Sequence, residues 1–246
     1  MAESFRDGEH LPNRRPDRQP PDPAGLPRQR RGITPQMHGR YPDHDVLADA
    51  EHWDPITRRL VRARVDDVPA RRFFTTDEFA CLCAFCDVVL AQDAEPRIPV
   101  MSFVDDKLQA GRLDGFQHVG MPDDRDTWRQ VAQGLDHAAR QLAGASFARA
   151  EEPTQREIVS AFADGTLSGG VWDQLPASSA WAVVMRSVLS AFYAHPWAFN
   201  EIGFGGPAYP RGYMRLAEGP TGAEPHEARE AFGPDPVEDV QRRGMP

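Results

Sequence analysis

From Asp54 to Ala194, apolar residues recur at intervals of three and four. That spacing puts them on one side of an α-helix. Asp54-Pro55 opens the first such stretch, in which Ile56, Leu60, Val61 and Val65 mark a face; an aspartate caps well and a proline fits the first turn. Thr75 with Glu78 three positions later forms a capping box, and Phe79, Leu82, Cys83, Cys86, Val89 and Leu90 carry on as a stripe. Pro99 starts a third helix with Phe103, Val104 and Leu108 on one side. A fourth runs from Asp124 to Leu142 through Trp128, Val131 and Leu135, and a fifth from Pro153 to Ala163 through Ile158, Val159 and Phe162. The last long helix, Ser178 to Ala194, carries Trp181, Val184, Met185, Val188, Leu189 and Phe192. Pro196 forbids its continuation.

No run alternates with period two, so the pattern predicts no sheet, and no internal repeat is visible. The fold class expected is all-α: a single irregular bundle of about six helices over residues 43–216, with oblique crossings. Proline, at 23 residues, crowds the two ends. Residues 1–42 read as an extended or disordered Pro/Arg-rich arm, and 217–246 as an extended Pro/Gly-rich tail. Neither segment holds enough large apolar residues to offset its ordering entropy.

A formal net charge of −9 argues against broad contact with nucleic acid, which needs clustered cations. No stretch reaches the roughly 20 apolar residues of a membrane helix, so no direct membrane insertion is expected. The first residues lack an apolar run, so the reading is a chain with no signal peptide of its own. It is cytoplasmic, or exported or membrane-associated only together with a partner.

Three cysteines, Cys81, Cys83 and Cys86, lie within six positions. On a helix, Cys81 and Cys83 project about 200° apart, so they cannot converge on one metal. With Phe79, Leu82 and Val89 nearby they read as small buried hydrophobes. His118, His137 and His195 form no H-E-x-x-H or H-x-H pair. His195, just before Pro196, reads as a cap on the last free carbonyls of the preceding helix. The acid pairs Asp105-Asp106, Asp123-Asp124 and Glu151-Glu152 read as solvated faces or helix starts, since neighbours on a helix point apart. No nucleophile elbow, phosphate-binding loop or dinucleotide fingerprint is present. The sequence therefore offers no catalytic, cofactor-binding or metal residue.

The most distinctive stretch is HPWAFNEIGFGGPAYPRGYMRL, from His195 to Leu216. Its aromatics bring contact area, and its glycines and prolines describe an ordered loop. Exposed aromatics with an arginine are the usual centre of an interface. His195, Trp197, Phe199, Phe204, Tyr209, Arg211 and Tyr213 are therefore the candidate partner interface; the other reading is a lid over the chain's own core.

These residues, with FFTTDEFACLCAFCDVVLAQD, MPDDRDTW and WDQLP, resemble the gluconate 2-dehydrogenase subunit 3 family across Trp53 to Leu216. The resemblance implies a helical, non-catalytic small subunit that binds and stabilises or matures a flavin-dependent dehydrogenase of the glucose–methanol–choline (GMC) type. FAD is then expected in that large partner, which oxidises a sugar, sugar acid or alcohol and passes electrons to a haem subunit or another acceptor. Two alternatives stand beside it: a free-standing metal- or thiol-dependent enzyme, and a transient assembly chaperone.

Overall fold

The computed structural model describes residues 45–92, 95–113, 119–202 and 204–207, the side chains at 49 and 52 excepted. Among them are seven α-helices and no strand: α1 (Pro55–Asp66), α2 (Thr76–Leu90), α3 (Val100–Gln109), α4 (Asp124–Ala143), α5 (Glu152–Ala163), α6 (Ala177–Tyr193) and α7 (Pro196–Ile202). Short 3₁₀ turns at Val46–His52, Phe147–Arg149 and Gly170–Asp173 connect them.

The helix starts follow the side-chain chemistry seen in the sequence. Asp54 accepts from the N–H groups of Ile56 and Thr57, at 3.0 and 3.1 Å. The Thr75 N–H donates to Glu78 Oε2 at 2.9 Å, and the Glu78 N–H returns a bond to Thr75 Oγ1 at 3.3 Å. Each pairing satisfies a backbone donor that the helix itself leaves open.

Helix α2 lies at the centre, packed against α3, α4 and α5. Leu82 and Phe85 are fully buried there among Trp128, Leu135, Phe162 and Val184. Trp181 of α6 meets Phe85 and Phe162 edge-on, with ring centroids 6.0 and 5.2 Å apart; such edge-to-face contacts suit the ring quadrupoles. Gly134 is the slot for Trp172, since a Cβ there would stand 2.4 Å from the indole. Trp172 can therefore close over α4 only because that position has no side chain.

A smaller cluster joins Val46, Ala50, Trp53, Val61 and Phe199. The first turn and α1 thus dock through α7 rather than directly into the main core.

The all-α class and a count near six hold among the described residues, with a seventh helix, α7, added because Pro196 ends α6 but fits the first turn of a new helix. Two other expectations need correction. On α1 only Val61 is buried; Val65 is half-buried, and Ile56 and Leu60 are 61% and 59% exposed. The apolar face read there is therefore only partly covered by the described chain. Finally, Asp105 is not on a solvated face but fully buried. Its carboxylate accepts from the backbone N–H groups of Arg72 (2.6 Å), Phe73 (3.0 Å) and Phe74 (2.9 Å). Those donors offset the cost of burying it.

Candidate functional site: the segment after α6

Helix α6 carries a single charge, Arg186, in its seventeen residues. Val183, Val184, Ser187 and Val188 face the core, while Leu189 and Tyr193 stand 40% and 47% exposed. A helix with so little charge outside its buried stripe is built to be covered on more than one side.

At its carboxyl end Arg64 of α1 reaches across, and its guanidinium donates to the Ala194 carbonyl at 2.5 Å. This is the cap that sequence reasoning assigned to His195. His195 itself works at the next helix: it is 1% exposed, and its Nδ1 accepts from the Trp197 N–H at 3.2 Å. Since Nδ1 accepts, the ring proton sits on Nε2, where it is donated to the Arg64 backbone. Burial lowers the imidazole pKa to about 4; the hydrogen bond to the Arg64 backbone opposes this, and the Arg64 charge adds a little to it. The ring is thus a neutral clasp between α1 and α7.

Helix α7 then sorts its aromatics between two cores. Trp197 and Ala198 pack on the main cluster, while Phe199 and Phe204 join the small one, their rings 5.0 Å apart. Asn200 Oδ1 accepts from the Val46 N–H at 2.8 Å, closing the amino end of the first turn. Gly206, at φ +83°, comes so close that a Cβ would lie 2.8 Å from both Trp53 and Val46. Only glycine fits that approach.

Of the seven candidate interface residues, His195 and Phe199 are buried and turned inward. Trp197 and Phe204 are half-buried with part of each ring open. Tyr209, Arg211 and Tyr213 lie outside the described residues. Sequence reasoning missed Arg64 and Asn200, whose partners lie 130 and 154 positions away. No local pattern carries such a pairing.

The cysteines behave as apolar fillers. Cys81 and Cys86 are buried, and Cys83 packs part-buried against the core. The Cys81 thiol donates to the Ala132 carbonyl at 3.6 Å. Burial pushes the Cys83 thiol up to about 12 and raises those of Cys81 and Cys86 further. Such thiols stay protonated, whereas a nucleophile or a metal ligand must be a thiolate. Among the described residues no group of three or more His, Cys, Asp or Glu side chains is placed to hold a metal. Nor is any described helix long and apolar enough to cross a membrane.

The architecture is that of an all-α domain wrapped round α2, with residues 195–202 and 204–206 joining α6, α7 and the first turn. Its lineage is specific: the model of the family described as Gluconate 2-dehydrogenase subunit 3 matches residues 76–206, which is 131 of the 246 positions. The chain belongs to that family and is an accessory subunit of a dehydrogenase complex. No curated protein and no solved structure matches it. The family match begins at α2 and ends at Gly206, so α1 and the first turn lie before it.

Proposed function

We propose that the chain is a non-catalytic small subunit that binds a flavin-dependent dehydrogenase of the GMC type and stabilises or matures it. The family match carries this reading. The under-charged outer side of α6 and the half-open Trp197 and Phe204 support it, because they leave apolar surface beside the segment. On this reading Trp197, Phe204, Tyr209, Arg211 and Tyr213 meet the large subunit, and His195 and Phe199 hold the segment in shape from within. FAD resides in the large subunit, a haem subunit takes the electrons where one is present, and the compartment is that of the complex.

Co-expression with a GMC-type flavoprotein of the same genome tests the proposal. Co-elution and a rise in the FAD content of the large subunit are expected, and failure to associate under any condition refutes it. Trp197→Ala and Tyr213→Ala should each weaken assembly by about 2 kcal/mol if they are central contacts. Stoichiometry in the mature complex separates a lasting subunit from a transient chaperone.

A further inference from the structure

The link between α1 and α2 carries Arg71, Arg72, Phe73 and Phe74, and α4 brings Arg125 and Arg129 against it. The two α4 guanidiniums stack on the Phe73 ring, their central carbons 4.9 and 4.4 Å from its centroid. Arg129 Nη2 also donates to the Phe73 carbonyl at 3.4 Å, and Arg71 Nη1 donates to the Phe74 carbonyl. Three cationic groups thus converge on one buried pair of residues.

Among the described residues no ion pair joins Arg71, Arg125 or Arg129 to a carboxylate. Asp105 is taken up by the backbone donors of residues 72–74, and Asp106 pairs with Arg72 and Arg112. Asp126, beside Arg125 in the chain, pairs with neither α4 arginine. Since both α4 guanidiniums sit over one ring, their charges are at most about 9 Å apart, close to one Debye length in physiological salt. Stacking holds them there but brings no counter-charge. Arg71 and Arg129 are exposed and Arg125 is half-buried, which makes a local cationic face on a chain of net charge −9.

We infer that this face docks a carboxylate-rich patch of the dehydrogenase's large subunit, as a second contact beside Trp197 and Phe204. The inference rests on the reading of the chain as a subunit that binds a flavoprotein. A guanidinium presents a planar fork that matches a carboxylate. Here the forks are already tied to Phe73 and Phe74, so less side-chain freedom is lost on binding. An extended polyanion such as nucleic acid fits less well, because beyond this face it meets an acidic chain.

The chain's single lysine, Lys107, leaves room for a zero-length test. Arg71→Lys, Arg125→Lys and Arg129→Lys each keep the charge and supply an amine that a carbodiimide couples to a touching carboxylate. With the full chain bound to the co-expressed flavoprotein, mass spectrometry should find links from these lysines to Asp or Glu of the large subunit. Changing all three arginines to glutamine should weaken binding roughly tenfold in low salt. Near 0.5 M salt the loss should shrink to less than about twofold, because screening has already removed the attraction. Co-elution without such links, or with links only inside the chain or between its copies, overturns the inference and leaves the wider reading standing. A folded glutamine variant that binds as tightly as the parent in low salt does the same; if that variant does not fold, the lysine links decide. A chain that never associates with the flavoprotein sinks both.

Discussion

His195 makes a prediction that can be worked from its surroundings. The ordinary imidazole pKa of 6.5 falls to about 4 in the folded chain, chiefly through burial. The unfolded chain therefore binds a proton between those values that the folded chain refuses. By linkage this residue's contribution is complete above pH 6.5 and is lost as the pH falls through 4. At pH 4.5 the loss comes to about 2.5 kcal/mol, a large share of the 5–15 kcal/mol or so that holds a typical domain together. His195→Asn isolates it. Asparagine keeps an acceptor near Nδ1 for the Trp197 N–H but cannot titrate and cannot reach the Arg64 backbone. At pH 7 the variant should be less stable by about 2 kcal/mol, from the lost hydrogen bond and ring packing. By pH 4.5 that gap should close or reverse, because only the parent chain bears the cost of refusing a proton. Urea unfolding at the two pH values, followed by far-UV circular dichroism, reads the difference directly. A gap that stays constant to within about 0.5 kcal/mol would refute the account of His195 as a buried neutral clasp. So would an imidazole resonance, assigned by its absence from His195→Asn, that titrates near 6.5.

Three further outcomes follow from the same packing. Asp105→Asn turns an amide NH₂ toward the backbone donors of residues 72–74, and urea unfolding should show a loss of about 2 kcal/mol; an unchanged midpoint would mean those bonds contribute nothing. Gly134→Ala gains about 1 kcal/mol of helix propensity but forces a methyl against Trp172, so a net loss of about 1–2 kcal/mol is expected by thermal melting. A more stable variant would show that the indole has room to move. Cys83, being part-exposed, should be the first thiol to react with an aromatic disulfide reagent. All three should react at least about tenfold more slowly than in the unfolded chain, and one fast thiol at neutral pH would contradict their burial.

The helical frame was open to reading because its signals are local. Asp54 before Pro55 and Thr75 with Glu78 mark helix starts within four residues, and most of each stripe on α2, α4 and α6 turns inward, whereas Leu142 and Leu189 stand 57% and 40% exposed. What escaped were pairings across distance. Asp105 looks like half of a solvated acid pair until residues 72–74 come round to it. Arg64 looks like one more surface arginine until Ala194 lies beneath it. The aromatics of His195 to Phe204 were visible as a group, but their division between two cores depends on α7. Proline at 196 reads both as the end of one helix and as the start of another, and only tertiary contact decides which description is complete.

The bond between the Val46 N–H and Asn200 spans 154 positions, and it has a consequence for the order of events on the ribosome. At a synthesis rate of about 5–20 residues per second, the first turn waits roughly 8–30 seconds for its partner to be made. Throughout that interval Trp53 and Val61 have no Phe199 to pack against. The bundle from α2 to α6 needs neither of them for its own core. The amino-terminal turn and α1 are therefore the last described parts to close, fastened only when residues 196–206 emerge. A nascent chain arrested before Asn200 should leave residues 45–66 open to protease while the bundle behind them resists.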